Sequence, residues 1–203
     1  MYREGFYRTV RPLGALIMGA GFRMSVAGSR RIPQKGPFLV LAKHQRWEDI
    51  PLLGLAIPRP LCYVAKYELF RQRLPRRILR ALGGIPLNRK APMRSRRSLR
   101  QIRGALKAGC GLVVFPEGTY YPGVMGPAHL GMVRFIMQRR QVPVMAAGLS
   151  YSGVRGRPSV QIHFGPRRFR PAAVSLREFL ADLMDEMAVL SGMPAYNPDP
   201  SRP

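Results

Sequence analysis

His44 stands five residues before Asp49 in the segment LVLAKHQRWEDIPLLGL, residues 39–55. A histidine near its ordinary pKa can take a proton from a hydroxyl, provided its tautomer and ring orientation are fixed. A carboxylate on the other ring nitrogen does both, and it steadies the imidazolium that forms. On one continuous helix a spacing of five sets two side chains about 140° apart, so this pair needs a bend between them. Glu117 in VVFPEGTYYPG and Arg89 in GGIPLNRK are the next candidates. An arginine fork is suited to a phosphate. Taken singly, each has a plainer reading. Asp49 can be a helix cap, His44 a surface residue, Glu117 a solvated acid in a Pro-Gly turn, and Arg89 one more member of a charged face.

The surrounding sequence predicts how these residues are held. FLVLAK (38–43) reads as a buried strand and LCYVAK (61–66) as a second. IPLNR (85–89), LVVF (112–115), VPVMAAGLSY and SVQIHF (159–164) supply further strands. Asp49 with Ile50 and Pro51 reads as an N-cap and first turn of a helix running to about Ala56. ELFRQRL and PRRILRAL read as helix interrupted by Pro75, with Phe70, Leu74 and Ile78 on one face. In MRSRRSLRQIRGALKAG, Leu99, Ile102 and Leu106 line a buried stripe that Gly109 stops. A helix near 130–140 follows, and Ser175 with Glu178 forms a capping box opening an acidic final helix. Strands alternating with helices predict a single α/β domain with a mainly parallel sheet flanked by helices. In such a sheet ligands gather at the carboxyl ends of strands. His44 and Asp49 follow the first of these strands, Arg89 ends the third and Glu117 follows the fourth, so the four converge on one edge.

Composition narrows the class of partner. The 203 residues carry 34 Lys+Arg against 10 Asp+Glu, a formal net charge of +24. All but one of the basic residues precede residue 178, where only half of the acids lie. Such a field draws in phosphates, whether of nucleic acid, anionic lipid or substrate. The two cysteines, Cys62 and Cys110, fit neither a metal site nor a disulfide framework and read as core thiols. His129 and His163 also lack metal spacing.

AKHQRWEDIP, YVAKYELF, GGIPLNR, FPEGT and VPVMAAG, in this order over residues 38–150, resemble the motif series of the glycerolipid acyltransferases, typified by bacterial 1-acyl-glycerol-3-phosphate acyltransferase. The resemblance implies transfer of a fatty acyl group from a thioester donor, acyl-CoA or acyl carrier protein, to a lysophospholipid hydroxyl. The expected acceptor is 1-acyl-sn-glycerol-3-phosphate and the product phosphatidic acid. It assigns His44 as general base and Asp49 as its orienting partner. Arg89 would meet the acceptor phosphate, Glu117 and Gly118 would shape the acceptor site, and Thr119 would support the turn. No metal and no further cofactor is implied. The chain departs from the family pattern at Lys43 and Arg46, where Asn and Ser are frequent, and at Tyr120, where Arg is common. These departures bear on the acceptor, leaving glycerol-3-phosphate, another lysophospholipid or an amino-acid lipid as alternatives.

No stretch reaches the roughly 20 apolar residues of a spanning helix. PLGALIMGAGF, edged by Arg8, Arg11 and Arg23, is expected to lie in a membrane interface. The expected organisation is an interfacial segment over 1–28, the acyltransferase domain over 29–192, and a Pro-rich tail over 193–203. An anionic membrane surface is the expected partner, and the expected location is the cytoplasmic face of the inner or plasma membrane, peripheral or monotopic. The rival reading is a basic nucleic-acid-binding module. It lacks an aromatic stacking platform and gives no use for His44, Asp49 and Glu117, so no nucleic acid is expected.

Overall fold

The computed structural model describes residues 4–88, 96–137, 142–153 and 156–197. Seven strands form one sheet: β1 (Arg23–Ala27), β2 (Phe38–Ala42), β3 (Leu61–Lys66), β4 (Gly84–Leu87), β5 (Gly111–Val114), β6 (Val144–Ser152) and β7 (Ser159–Phe164). Their order is β1-β7-β6-β2-β5-β3-β4. The five strands from β6 to β4 run parallel, whereas β7 is antiparallel to β6 and carries β1 parallel beside it. The helices are α1 (Glu4–Gly21), α2 (Asp49–Ala56), α3 (Arg73–Ala81), α4 (Arg96–Lys107), α5 (Leu130–Met137) and α6 (Leu176–Ser191).

β2 explains the layering. All five of its residues are buried, as a central strand covered on both faces requires. Successive side chains alternate between faces. Leu39 and Leu41 join the core with α4, α5 and α6, while Phe38, Val40 and Ala42 pack with α2 and Met18 of α1. The predicted stripe of α4 is buried as expected at Leu99, Ile102 and Leu106. The Ser175–Glu178 capping box opens α6 with both reciprocal bonds made. α6 crosses β6 at Gly148, where a Cβ would lie 2.3 Å from the backbone of Leu190. Only a glycine permits that approach.

Three local expectations are corrected. Phe70, Leu74 and Ile78 do not share one face. The chain forms a 3-10 turn over Tyr67–Phe70 and starts α3 afresh at Arg73. Phe70 is buried, but Leu74 and Ile78 are exposed. The break resets the helical phase, so spacing across it carries no information. Pro75 falls in the first turn of α3, where amide donors have no intrahelical partner.

Residues 23–27, read as part of the N-terminal segment, form β1 at the sheet edge. Arg11 was expected to reach toward headgroups. Its guanidinium instead donates to the carbonyls of Leu55 and Ile57, at 3.1 and 3.5 Å, at the end of α2. Those last carbonyls have no partner within their own helix. α1 still presents Leu13, Leu16 and Ile17 to the outside. None of the described helices is long and apolar enough to cross a membrane.

Candidate active site

β2 and β5 are neighbours in register, Phe38 beside Gly111 through Leu41 beside Val114. The residues that follow them therefore emerge together, His44 from one and Glu117 from the other. Between β2 and α2 the chain turns back on itself, which supplies the bend that the spacing demanded. His44 Nδ1 lies 2.9 Å from Asp49 Oδ2. The His44 ring stacks on Phe115, with centroids 3.8 Å apart at 20°, and meets the edge of Tyr120 at 4.4 Å. An ionised carboxylate only accepts, so Nδ1 carries the proton and Nε2 keeps its lone pair. The ring is thus fixed in tautomer and in plane.

Asp49 is fully buried and does not cap its helix as expected. The residue preceding α2 is Glu48, whose side chain makes no cap bond. The Asp49 carboxylate is spent on the loop before it. Oδ2 accepts from the amides of Gln45 and Arg46, at 2.6 and 2.9 Å, as well as from His44. The Tyr151 hydroxyl donates to Oδ1 at 2.5 Å. A loop of this length would otherwise leave amides unpaired in a buried place, a penalty of about 1–3 kcal/mol each.

Glu117 is also fully buried, and its oxygens are taken by the chain itself. Oε1 accepts from Lys43 Nζ at 2.7 Å and from the Gly126 amide at 2.7 Å. Oε2 accepts from Lys43 Nζ at 2.9 Å and from the His44 amide at 3.0 Å. Lys43 Nζ also donates to the Tyr121 and His44 carbonyls, at 2.8 and 3.3 Å. Burial pushes the Lys43 pKa down, while its bond to Glu117 and that carboxylate's charge oppose the shift. Glu117, expected to shape the acceptor site, has its carboxylate tied to the chain itself: it joins the end of β2 to the loop after β5 and holds the peptide that carries His44.

The remaining site residues are placed as follows. Gly118 has φ +73°, which a side chain rarely adopts, and a Cβ there would come within 2.9 Å of His129 Cδ2. Thr119 and Tyr120 are exposed on the same turn. Arg89 lies outside the described residues; β4, which it follows, ends at Leu87 on the same edge. Cys62 and Cys110 are buried and free. Burial, with Cys110 beside it, pushes the Cys62 thiol up to about 12. Among the described residues no group of three or more His, Cys, Asp or Glu could hold a metal.

Three residues here were not singled out from sequence as parts of the site. Lys43 had been noted only as a departure, yet a lysine ending an apolar strand must find a carboxylate, and this chain has few. Gln45 links β6 to the loop after β5, donating to the Leu149 carbonyl at 2.6 Å and accepting from the Gly123 amide at 2.9 Å. Tyr151 arrives from β6, and nothing in the local sequence marks it.

Comparison with known proteins fits this arrangement. The family described as Acyltransferase matches residues 23–150. A 1-acyl-sn-glycerol-3-phosphate acyltransferase of Pseudomonas aeruginosa is 38% identical over 110 residues, 53% of this chain and 42% of the relative. The enzymes of that name from Bacillus subtilis and Streptococcus pneumoniae are 30% and 27% identical, over 47% and 79% of this chain and 48% and 61% of theirs. The chain thus spans less than two thirds of the length of each of these relatives. The crystal structure of the 1-acyl-sn-glycerophosphate (LPA) acyltransferase, PlsC, from Thermotoga maritima superposes with a TM-score of 0.69 at 23% identity, covering 90% of this chain and 77% of that one. The fold is shared, and the family match spans the loops that bring His44, Asp49 and Glu117 together: the chain belongs to the Acyltransferase family.

Proposed function

We propose that this protein transfers a fatty acyl group from a thioester donor, acyl-CoA or acyl carrier protein, to the hydroxyl of 1-acyl-sn-glycerol-3-phosphate. The observation that carries the reading is the 2.9 Å contact between His44 Nδ1 and a fully buried Asp49. With Nδ1 protonated, Nε2 takes the proton of the acceptor hydroxyl as its oxygen attacks the thioester carbonyl. The C–O bond forms, negative charge gathers on the carbonyl oxygen, and collapse breaks the C–S bond. The thiolate leaves and takes the proton back from the imidazolium. Asp49 steadies that imidazolium without itself being protonated. No covalent enzyme intermediate, metal or further cofactor is needed.

Lys43 and Glu117 act through the backbone of His44, and Gly118 and Thr119 form the turn beside the acceptor. We assign Arg89 to the acceptor phosphate on the strength of the family resemblance. The partner surface is an anionic bilayer at the cytoplasmic side, where the thioester carriers are. Exposed Trp47, Tyr67, Leu69, Tyr120 and Val124 support this, since all follow β2, β3 or β5 and rim the catalytic edge. Exposed Arg46, Lys66 and Arg71 accompany them, with Glu68 as the opposing charge. Aromatic rings and basic stems suit the headgroup region.

The test incubates the purified protein with acyl-CoA or acyl carrier protein thioester and a panel of acceptors, and follows thiol release. Lysophosphatidate-dependent release is expected. Arg89→Ala should raise the KM for that acceptor roughly tenfold or more with a smaller change in kcat, because a charged hydrogen bond present throughout the reaction is uniform binding. Release only with an acceptor lacking phosphate would move the protein to another acceptor class; no release with any acceptor would sink the reading.

A further inference from the structure

The two oxygens of Asp49 are used unequally. Oδ2 faces three donors from its own loop, His44 Nδ1 among them. The donor on Oδ1 comes from another part of the sheet, the Tyr151 hydroxyl on β6, at 2.5 Å. Because Asp49 is 0% exposed, Oδ1 has no bulk water to replace that donor. The Tyr151 ring is itself held. The Arg46 guanidinium lies over it at 4.1 Å, and Phe22 meets its edge at 6.2 Å.

We propose that Tyr151 is a positioning residue for the His44–Asp49 pair, its hydroxyl fixing the rotation of the carboxylate and withdrawing part of its charge so as to set the orientation and basicity of His44. The kinetic consequences rest on the acyl-transfer reading; the effect on the histidine does not.

A hydrogen bond to a carboxylate stabilises its charged form. Removing the donor makes Asp49 more basic and tightens its hold on the imidazolium, so His44 takes up its proton at a higher pH. The hydroxyl is a dependable donor: burial first, and the Asp49 charge second, push the Tyr151 pKa up. Of the other ionisable groups near the pair all but Glu48 are already engaged. Glu48 Oε2 is buried with no hydrogen-bond partner among the described residues, and its charge adds to the rise in the Tyr151 pKa. Lys43 and Glu117 bind each other beside the His44 backbone. Arg46 stacks on Tyr151, Glu48 sits in the same loop, and the Tyr120 ring meets His44 edge-on.

The test is Tyr151→Phe, read as kcat against pH and as the histidine ring titration by NMR, which the chain's 3 histidines keep simple. The acid limb and the His44 titration should both move to higher pH, by about half a unit or more. At plateau, kcat should fall on the order of 10- to 100-fold with acceptor KM little changed. In an Asp49→Asn background, Tyr151→Phe should add little, because its route to His44 has gone. Should Tyr151→Phe fail to fold, fluorotyrosine at position 151 keeps the shape and strengthens the donor; the His44 titration should then move to lower pH.

A folded Tyr151→Phe protein with unchanged acid limb and unchanged His44 titration, whatever its melting temperature, would overturn the proposal, as would a fluorotyrosine protein with no shift. If the wild type releases no thiol while the NMR shift appears, the acyl-transfer reading fails and the positioning role stands.

Discussion

Among the described residues acids pair with bases at the carboxyl ends of β2 and β5 and again beside α6, and the two places differ in what surrounds the charge. At the carboxyl ends of β2 and β5, Lys43 and Glu117 are both 0% exposed and 2.7 Å apart. Beside the final helix, Arg168 meets Asp182 at 3.3 Å and Glu186 at 3.4 Å, with side chains 33%, 58% and 19% exposed. The Arg168–Asp182 contact is long and open to solvent, with Glu186 more covered beside it, and exposed pairs of this kind contribute little. The buried pair has no water to fall back on. Each of its members must be satisfied by fixed partners, and those partners include the His44 amide and carbonyl. Burial therefore turns an ordinary ion pair into a clamp on the loop that carries the base.

The largest effect should come from inside that clamp. His44→Ala should lower acyl transfer by roughly 10²–10⁴-fold or more while the far-ultraviolet circular dichroism stays the same; near-wild-type turnover would end the general-base assignment. Next in size, Lys43→Met leaves Glu117 buried without its cation and should cost about 3–5 kcal/mol in urea unfolding, with the site loops loosened as well. Arg168→Ala removes the same kind of residue at the surface and should cost no more than about 1 kcal/mol. Equal losses for Lys43→Met and Arg168→Ala would erase the distinction between the regions.

The smallest effect belongs to the cap of α6. Hydrogen bonds from Ser175 hold the Glu178 carboxyl below its ordinary value of 4.5. Its contribution is present above that value and is lost as the pH falls through the lowered, folded-state pKa. Glu178→Gln should therefore lower stability slightly at neutral pH and leave acid pH unchanged, which flattens the acid limb. A steep change at neutral pH would mean the cap does more than close a helix end.

Much of this was legible in residue order. The strands are short apolar runs between turn signals, and β2, β3 and β5 lie within a residue or two of their expected bounds. So do the stripe of α4 and the capping box of α6, because each is a local pattern whose period or chemistry names the element. The candidates His44, Asp49 and Glu117 were legible for a related reason: acids are scarce before residue 178, so those placed at strand ends stand out. α3 was misread across its break, where phase is lost. β1 was missed because its one partner, β7, lies far along the chain.

Residue order marks which side chains could do the chemistry and which strands carry them, since composition and periodicity act over a few neighbouring residues. What each candidate does was decided by the tertiary structure. Only the adjacency of β2 and β5 puts Lys43 on Glu117, so the acid expected to shape the acceptor site has both oxygens engaged in holding the backbone of the base. Only the placement of β6 on the other side of β2 brings Tyr151 to Asp49. Burial and hydrogen-bond direction depend on groups distant along the chain, and no spacing within one segment records them.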